Sequence, residues 1–367
     1  MDDDDGSLGQ SSRDLEMCME EEGASSLWGV PGSRKPGVCG LINSGNSCYM
    51  NAVLQCLCST VPLVEYLLSR HTQTELAKHE SVVVRVFVTL LEEVWLGQST
   101  SYVPADVRSM VSSLHPQFNN HSQQDAQELL LFLLNALHDD LKKVDTASLR
   151  PPSPDRRGRK SPGGESTIVT RLFEGQLSYV TLCMRCDQQG QSNQVFTILS
   201  LPIPADVYKC SLQDCLSLFF QQSTLTGGDQ KLCTECGIKR DTAVLTTLSK
   251  PPEILMLHLK RFGCHGTEKK KLRTNVLFSM DNLDLSPFLT SPSALYTSYS
   301  LYAVVNHTGD LDMGHYTALC HSTLSHAWHR FDDTTVTEIQ DFLVQSPNAY
   351  ILLYSRRPFT GPDVPGL

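Results

Sequence analysis

The chain has 367 residues, 40% of them hydrophobic and 19% charged, enough to build one large domain or two medium ones around a proper core. Its net charge of −10 is uneven: residues 1–23 hold nine acids against the single base Arg13, so this tail carries −8 and the rest only −2. That balance excludes the broad basic face of a nucleic-acid binder, no stretch nears the roughly 18 apolar residues of a membrane span, and thirteen cysteines behind a start with no export signal are expected to be reduced, metal-bound or catalytic, in the cytosol or the nucleus.

Residues 1–36, an acidic run and then a Ser-, Gly- and Pro-rich stretch with a lone Trp28, predict a disordered tail and linker. Met50, Val53, Leu54 and Leu57 then share one face at helical spacing. SVVVRVFVTLLEEVWLG (81–97) and QQDAQELLLFLLNALHDDLKK (123–143) read as two further helices, so 37–145 is expected to be a helical block. A loop follows at about 146–166, with four prolines and a local excess of base in Arg150, Arg156, Arg157, Arg159 and Lys160. Ser153 and Ser161 each precede a proline there, which suits either a modified docking loop or a tolerated insertion.

From 167 to 357 the texture changes to short alternating runs: LFEGQLSYVTLC, VFTILSLPIP, EILMLHLKRF, SLYAVVNHTG, HYTALCH, AWHRFDD and AYILLYS. These read as strands, many of them antiparallel, and residues 358–367 as a C-terminal tail. Helices followed by strands make an α+β layout.

Within the strand region CMRC and CTEC place Cys183 with Cys186 and Cys233 with Cys236, each pair two residues apart. Two such pairs complete a closed tetrahedral Cys₄ site for structural Zn²⁺, tying together two hairpin ends. A redox role is the competing reading, but neither pair opens a helix after a strand.

A different cysteine stands in GLINSGNSCYMNAVLQCLC (40–58), where Cys48 opens an apolar helix directly after Asn46 and Ser47, good N-cap residues. Unpaired N–H groups and the helix dipole favour a thiolate there, the nucleophilic form. Cys56 and Cys58, further along, read as small buried hydrophobes. A thiol nucleophile needs a base, and His315 starts a strand after a loop carrying two glycines. If HYTALCH and AWHRFDD are arms of a hairpin turning at about 322–325, His315 faces Asp332, a carboxylate able to orient its ring. A structural histidine remains the alternative.

Taken in order, GLINSGNSCYMNAVLQCL, QQDAQELLLFLL, CMRC, CTEC, LMLHLKRF, GHYTALC, WHRFDDTTV and AYILLY resemble the boxes of the ubiquitin-specific protease family, cysteine isopeptidases that remove ubiquitin from proteins, over about Gly37–Arg356. The resemblance implies a papain-like fold shaped as a right hand, with helical thumb, β-rich palm and zinc-tied β fingers. It implies Cys48 as nucleophile, His315 as general base, Asp332 as its orienting residue, Asn43 as oxyanion side chain and Asp333 as a supporting acid. Gln124, Asp125 and Glu128, with Met313 and Gly314 of the loop before His315, would lie near the arginine-bearing tail of ubiquitin. A solvated, capped helix start is an equally good reading of the first three. His258, Lys260 and Arg261 match a palm strand and read as structural.

Three positions depart from the family's usual residues: Met313 stands where glycine is common, Ser47 where threonine is usual and Asp332 where many members have asparagine. The partner implied is ubiquitin or a ubiquitin-like modifier, the simplest state a monomer, with neither nucleic acid nor membrane. A catalytically weak adaptor of the same fold, and a zinc-dependent scaffold whose cysteine helix is merely core, are the alternatives.

Overall fold

Apolar residues recur every three to four positions from about Met50 to Leu141, and among the described residues six α-helices form there: α1 (Cys48–Cys58), α2 (Val61–Leu68), α3 (Arg70–Leu76), α4 (Val82–Trp95), α5 (Ala105–Leu114) and α6 (Ala126–Ser148). The computed structural model describes residues 34–78, 80–119, 122–148, 166–265, 268–291, 297–310 and 313–367. The acidic tail, Trp28 and the basic stretch 150–160 expected from sequence lie outside the described residues. Helix α4 buries Val84, Phe87, Val88, Leu91, Val94 and Trp95. Its N-cap Ser81 makes no side-chain cap; Asp140 of α6 accepts the N–H groups of Val83 (2.9 Å) and Val84 (3.2 Å) instead. Such a cap contributes about 1 kcal/mol.

Against the helices lies an eight-stranded sheet. Its order is Thr335–Ile339, Ala327–Asp332, Gly314–Ser322, Ser298–Gly309, Ala349–Ser355, Ile254–Leu259 and Ile198–Leu201, with Leu283–Asp284 pairing on Ser298–Gly309. All neighbours are antiparallel except the last pair of the path, which is parallel. Alternation assigns the two faces: Ile254, Met256, Val305, Ala318, Ile351 and Leu353 pack into the helical core, while Leu255, Leu257, Val304, Leu319, Leu352 and Tyr354 fill a second core. Burial on both faces explains why ILMLHL reads as a nearly continuous apolar run.

The second core is closed by α8 (Leu212–Phe220), a helix inside the region read as strands. Ser211 and Asp214 form a reciprocal capping box at its start, a pattern visible in SLQD. A smaller departure is α7 (Ile168–Phe173), which takes Leu172 and Phe173 out of the expected strand; Thr167 and Thr170 cap it, and the strand begins at Gly175. A separate four-stranded sheet pairs Gln189–Phe196, Gly175–Cys183, Thr242–Lys250 and Ser223–Leu225 in that order. Residues 358–367 pack back on the chain: Phe359 meets the Tyr302 ring at 4.8 Å, and Val364 is buried.

Candidate active site

Helix α1 begins at Cys48 itself and is buried along its whole length. Ser47 is the N-cap residue, but its hydroxyl turns away from the helix, accepting from the Ser44 N–H (3.1 Å) and donating to Asn43 Oδ1 (3.2 Å). The capping bond expected from sequence is therefore absent. Burial pushes the Cys48 thiol up from its ordinary pKa and the charge of Asp333 adds to this, while the N–H groups of Tyr316, Tyr49 and Cys48 pull it down without winning. At 2% exposure the residue rests as a thiol rather than the thiolate that position alone suggested.

His315 and Asp332 are brought together, though not by the register expected. Ala318 pairs with Phe331 and Ser322 with Ala327, so the turn is Thr323–His326 and the continued ladder sets Asp332 across from Thr317. The offset is two residues. A shift of two leaves every side chain on its face, so His315 reaches Asp332 diagonally, Nε2 to Oδ1 at 2.7 Å. The other oxygen, Oδ2, accepts from Arg330 Nη2 at 2.8 Å.

Asp333 sits in the left-handed region (φ 52°) at the next turn, and its carbonyl accepts from the Leu41 N–H (2.9 Å). Its carboxylate accepts from Asn43 Nδ2 (2.9 Å) and Asn51 Nδ2 (2.8 Å). Asn51 also bonds the Leu41 carbonyl, and Gln55 Nε2 that of Cys39 at 2.7 Å, so one polar edge of α1 stitches the nucleophile helix to the segment before it. No motif singles out Asn51 and Gln55; their signal in the sequence is two amides, four residues apart, in an apolar helix. Gly40 permits the close approach, since a Cβ there would lie 2.5 Å from the Thr334 carbonyl.

Asn43 is held twice over. Its Oδ1 accepts from the N–H groups of Gly45 (2.9 Å) and Ser47 (3.2 Å), and one of its two amide protons goes to Asp333. Asp125 caps α6, Oδ1 accepting from the Gln127 N–H at 2.7 Å, and Oδ2 accepts the Tyr350 hydroxyl at 2.6 Å. Glu128 is exposed and takes Gln117 Nε2 at 2.6 Å, while Gln117 also reaches Gln124 at 3.5 Å. Gln123, which no motif role marks in the sequence, grips Gly314 on both sides, accepting its N–H (3.0 Å) and donating to its carbonyl. Met313, beside it, is 85% exposed. Among the residues read as structural, His258 bonds Ser200 (2.9 Å), and buried Arg261 donates to the carbonyls of Ala349, Leu272 and Thr274.

The sulfur atoms of Cys183, Cys186, Cys233 and Cys236 all lie within 4.8 Å of one another. Each pair sits in a tight turn closed by backbone bonds, Cys183 N–H to Gln188 O (3.0 Å) and Cys233 N–H to Ile238 O (3.1 Å), with Asp187 and Gly237 at positive φ. Four sulfurs converging in this way fit a tetrahedral metal ion. The N–H groups of Arg185 and Cys186 draw Cys183 down to about 7; at Cys186 the N–H of Gln188 is outweighed by desolvation and the neighbouring thiols, which push it up to about 12. His315, Asp332 and Asp333 also lie within 4.8 Å of one another. All four of their carboxylate oxygens, however, are engaged by His315, Arg330, Asn43 and Asn51, which suits proton handling better than a metal.

Residues 39–354 match the family model described as "Ubiquitin carboxyl-terminal hydrolase". The chain belongs to that family. Ubiquitin carboxyl-terminal hydrolase 2 of Rattus norvegicus is 34% identical over 335 residues, which are 87% of this chain and 54% of the relative. Ubiquitin carboxyl-terminal hydrolase 21 of Mus musculus is 33% identical over 347 residues, 86% of this chain and 61% of the relative. The chain thus spans little more than half the length of these relatives. Among solved structures, the SAGA Ubp8/Sgf11/Sus1/Sgf73 DUB module bound to ubiquitin aldehyde has a chain that superposes with a TM-score of 0.72 at 24% identity, covering 89% of this chain and 71% of that one. This likeness shows the fold, the α+β architecture of the ubiquitin-specific proteases.

Proposed function

We propose that the chain is a thiol-dependent deubiquitinase hydrolysing the isopeptide or peptide bond after the C-terminal glycine of ubiquitin, with residues 37–357 as its catalytic domain. The observation that supports this best is the His315–Asp332 contact of 2.7 Å beside Cys48, whose thiol shares the N–H of Tyr316, the residue after His315. An ionised Asp332 can only accept, so His315 Nε2 carries the proton and Nδ1 is left to take that of the thiol. Because burial holds the thiol protonated, substrate binding and His315 together would draw the proton off as sulfur attacks.

Cys48 sulfur adds to the glycine carbonyl, and the oxyanion is met by the remaining amide proton of Asn43 and backbone N–H groups. The C–N bond breaks, the amine leaves with the proton from His315, and a thioester remains on Cys48. Water, deprotonated by His315, hydrolyses the thioester and frees the thiol. Asp333 acts here as the anchor of Asn43 and Asn51. Gln124, Glu128, Met313 and Gly314 would meet the ubiquitin tail, with Asp125, held by the Gln127 N–H and the Tyr350 hydroxyl, as a carboxylate beside it.

Zn²⁺ is the ion we propose for the four cysteines. With all four positions filled by thiolates it supplies no chemistry, only a clamp between two turns. The partner is ubiquitin or a ubiquitin-like modifier, the protein a monomer, and its place the cytosol or nucleus.

Mixing the purified chain with ubiquitin bearing a C-terminal thiol-reactive electrophile, beside a Cys48→Ala control, tests the reading by intact mass. A one-to-one adduct that vanishes in the control is expected. A folded, metal-loaded chain that forms none is instead an adaptor or acts on another modifier.

A further inference from the structure

Lys271 lies outside the groups used above, yet it is 8% exposed, and among the described residues no carboxylate forms an ion pair with it. Its ammonium donates to His307 Nδ1 (2.8 Å), to the His307 carbonyl (2.7 Å) and to the Gly309 carbonyl (2.9 Å), which uses all three of its protons. Those acceptors lie at the end of the strand Ser298–Gly309, where the chain leaves for the loop that returns as Gly314 and His315. Holding a charge there is unfavourable: burial, with the guanidinium groups of Arg261 and Arg273, pushes Lys271 down to about 8, and Asp310 opposes this only in part. An apolar residue would avoid that cost, so the charge has to be explained by what it holds.

What it holds is a joint. His307 is 2% exposed and kept neutral by burial and by Lys271, so Nδ1 accepts and Nε2 carries the proton. Its ring meets Phe262 edge-on (centroids 5.1 Å apart, planes at 84°) and packs tilted against Tyr316 (4.6 Å, 59°). The edge bearing Nε2 lies against Gly314, where a Cβ would come within 2.1 Å of it. Gln123 grips Gly314 from the helical side. The residue before His315 is thus wedged between a ring whose orientation Lys271 sets and an amide from the opposite half of the site.

We propose that Lys271 is a positioning residue for the reaction, setting His315 through the His307 ring, Gly314 and the two carbonyls it ties down. This rests on the functional reading above. Loosening the joint should displace the general base, and misplacement of about 1 Å can cost on the order of a hundredfold in rate without loss of binding.

The test compares Lys271→Met and His307→Phe with the wild-type full chain, using ubiquitin carrying a C-terminal aminocoumarin amide as substrate. The expected result is a fall in kcat of about tenfold or more in both variants, with KM within about threefold of wild type. His307→Phe keeps the ring's volume, so it still reads the joint if Lys271→Met fails to fold. Either variant, folded and with kcat within about twofold of wild type, overturns the inference, as does a loss carried wholly by KM. Hydrogen exchange over 309–315 decides positioning apart from turnover: faster exchange in the variants supports it and unchanged exchange overturns it. A wild-type chain that releases no coumarin overturns the functional reading, while exchange still tests the joint.

Discussion

Two sets of thiols in this chain are built by opposite means. The four-cysteine cluster consists of two turns, each complete within six residues and closed by its own backbone bonds. The ladder that pairs Thr242 with Cys183, continued by the Met184 N–H bond to the Asp241 carbonyl (2.9 Å), brings them together. Cys48 depends on residues spread from Asn43 to Asp333, held by contacts such as Asn51 to Asp333 across 282 positions. The first arrangement gathers four sulfurs, Cys183 and Cys233 buried and Cys186 and Cys236 reaching solvent, in one shared task; the second surrounds a single buried thiol with partners from the far end of the chain. Local assembly therefore suits a site that stabilises, and long-range assembly one that must control a proton.

Cys48→Ala is the largest test of that contrast. It should lower ubiquitin–aminocoumarin hydrolysis by at least about 10⁴-fold while leaving the thermal midpoint within a few degrees. Cys233→Ser should do the reverse: loss of the proposed Zn²⁺ by native mass spectrometry, a midpoint lower by about 5 °C or more, and only partial loss of turnover. If Cys233→Ser abolished turnover with the fold intact, the separation of roles would fail.

Asp333→Asn probes the buried thiol more finely. The carboxylate's negative charge disfavours a thiolate beside it, so its removal should move the pH profile of Cys48 alkylation by iodoacetamide downward. An unmoved profile would mean that burial, the larger cause, acts alone. The smallest effect belongs to Lys35→Ala. Its 3.1 Å pair with Glu338 also spans 303 positions, but both side chains are more than half exposed. Denaturant unfolding should change by no more than about 0.5 kcal/mol, because the value of a long-range contact depends on burial, not on sequence separation.

Much of this protein was legible in its sequence because the signals were local. The 3.6-residue period in SVVVRVFVTLLEEVWLG produced α4, alternation produced the palm strands, and two CxxC spacings became two tight turns. Helix α8 is marked by a capping box, SLQD, set among strand-like runs. The pairing of His315 with Asp332 was legible only in parity: either residue could shift by two along its strand and keep its face, so the sequence could indicate the face but not the register.

What the chain alone determined was therefore the set of elements, the position of Cys48 at a helix start and the family those residues belong to. Tertiary structure decided the rest: the turn that sets the register of His315, the burial that keeps Cys48 a thiol, the double grip on Asp333 and the wedge at Gly314. Periodicity and turn chemistry act between neighbours and can be read along one strand of text. Register, desolvation and hydrogen-bond choice are sums over contacts between distant residues, and they acquire values only when the thumb and the palm close on each other.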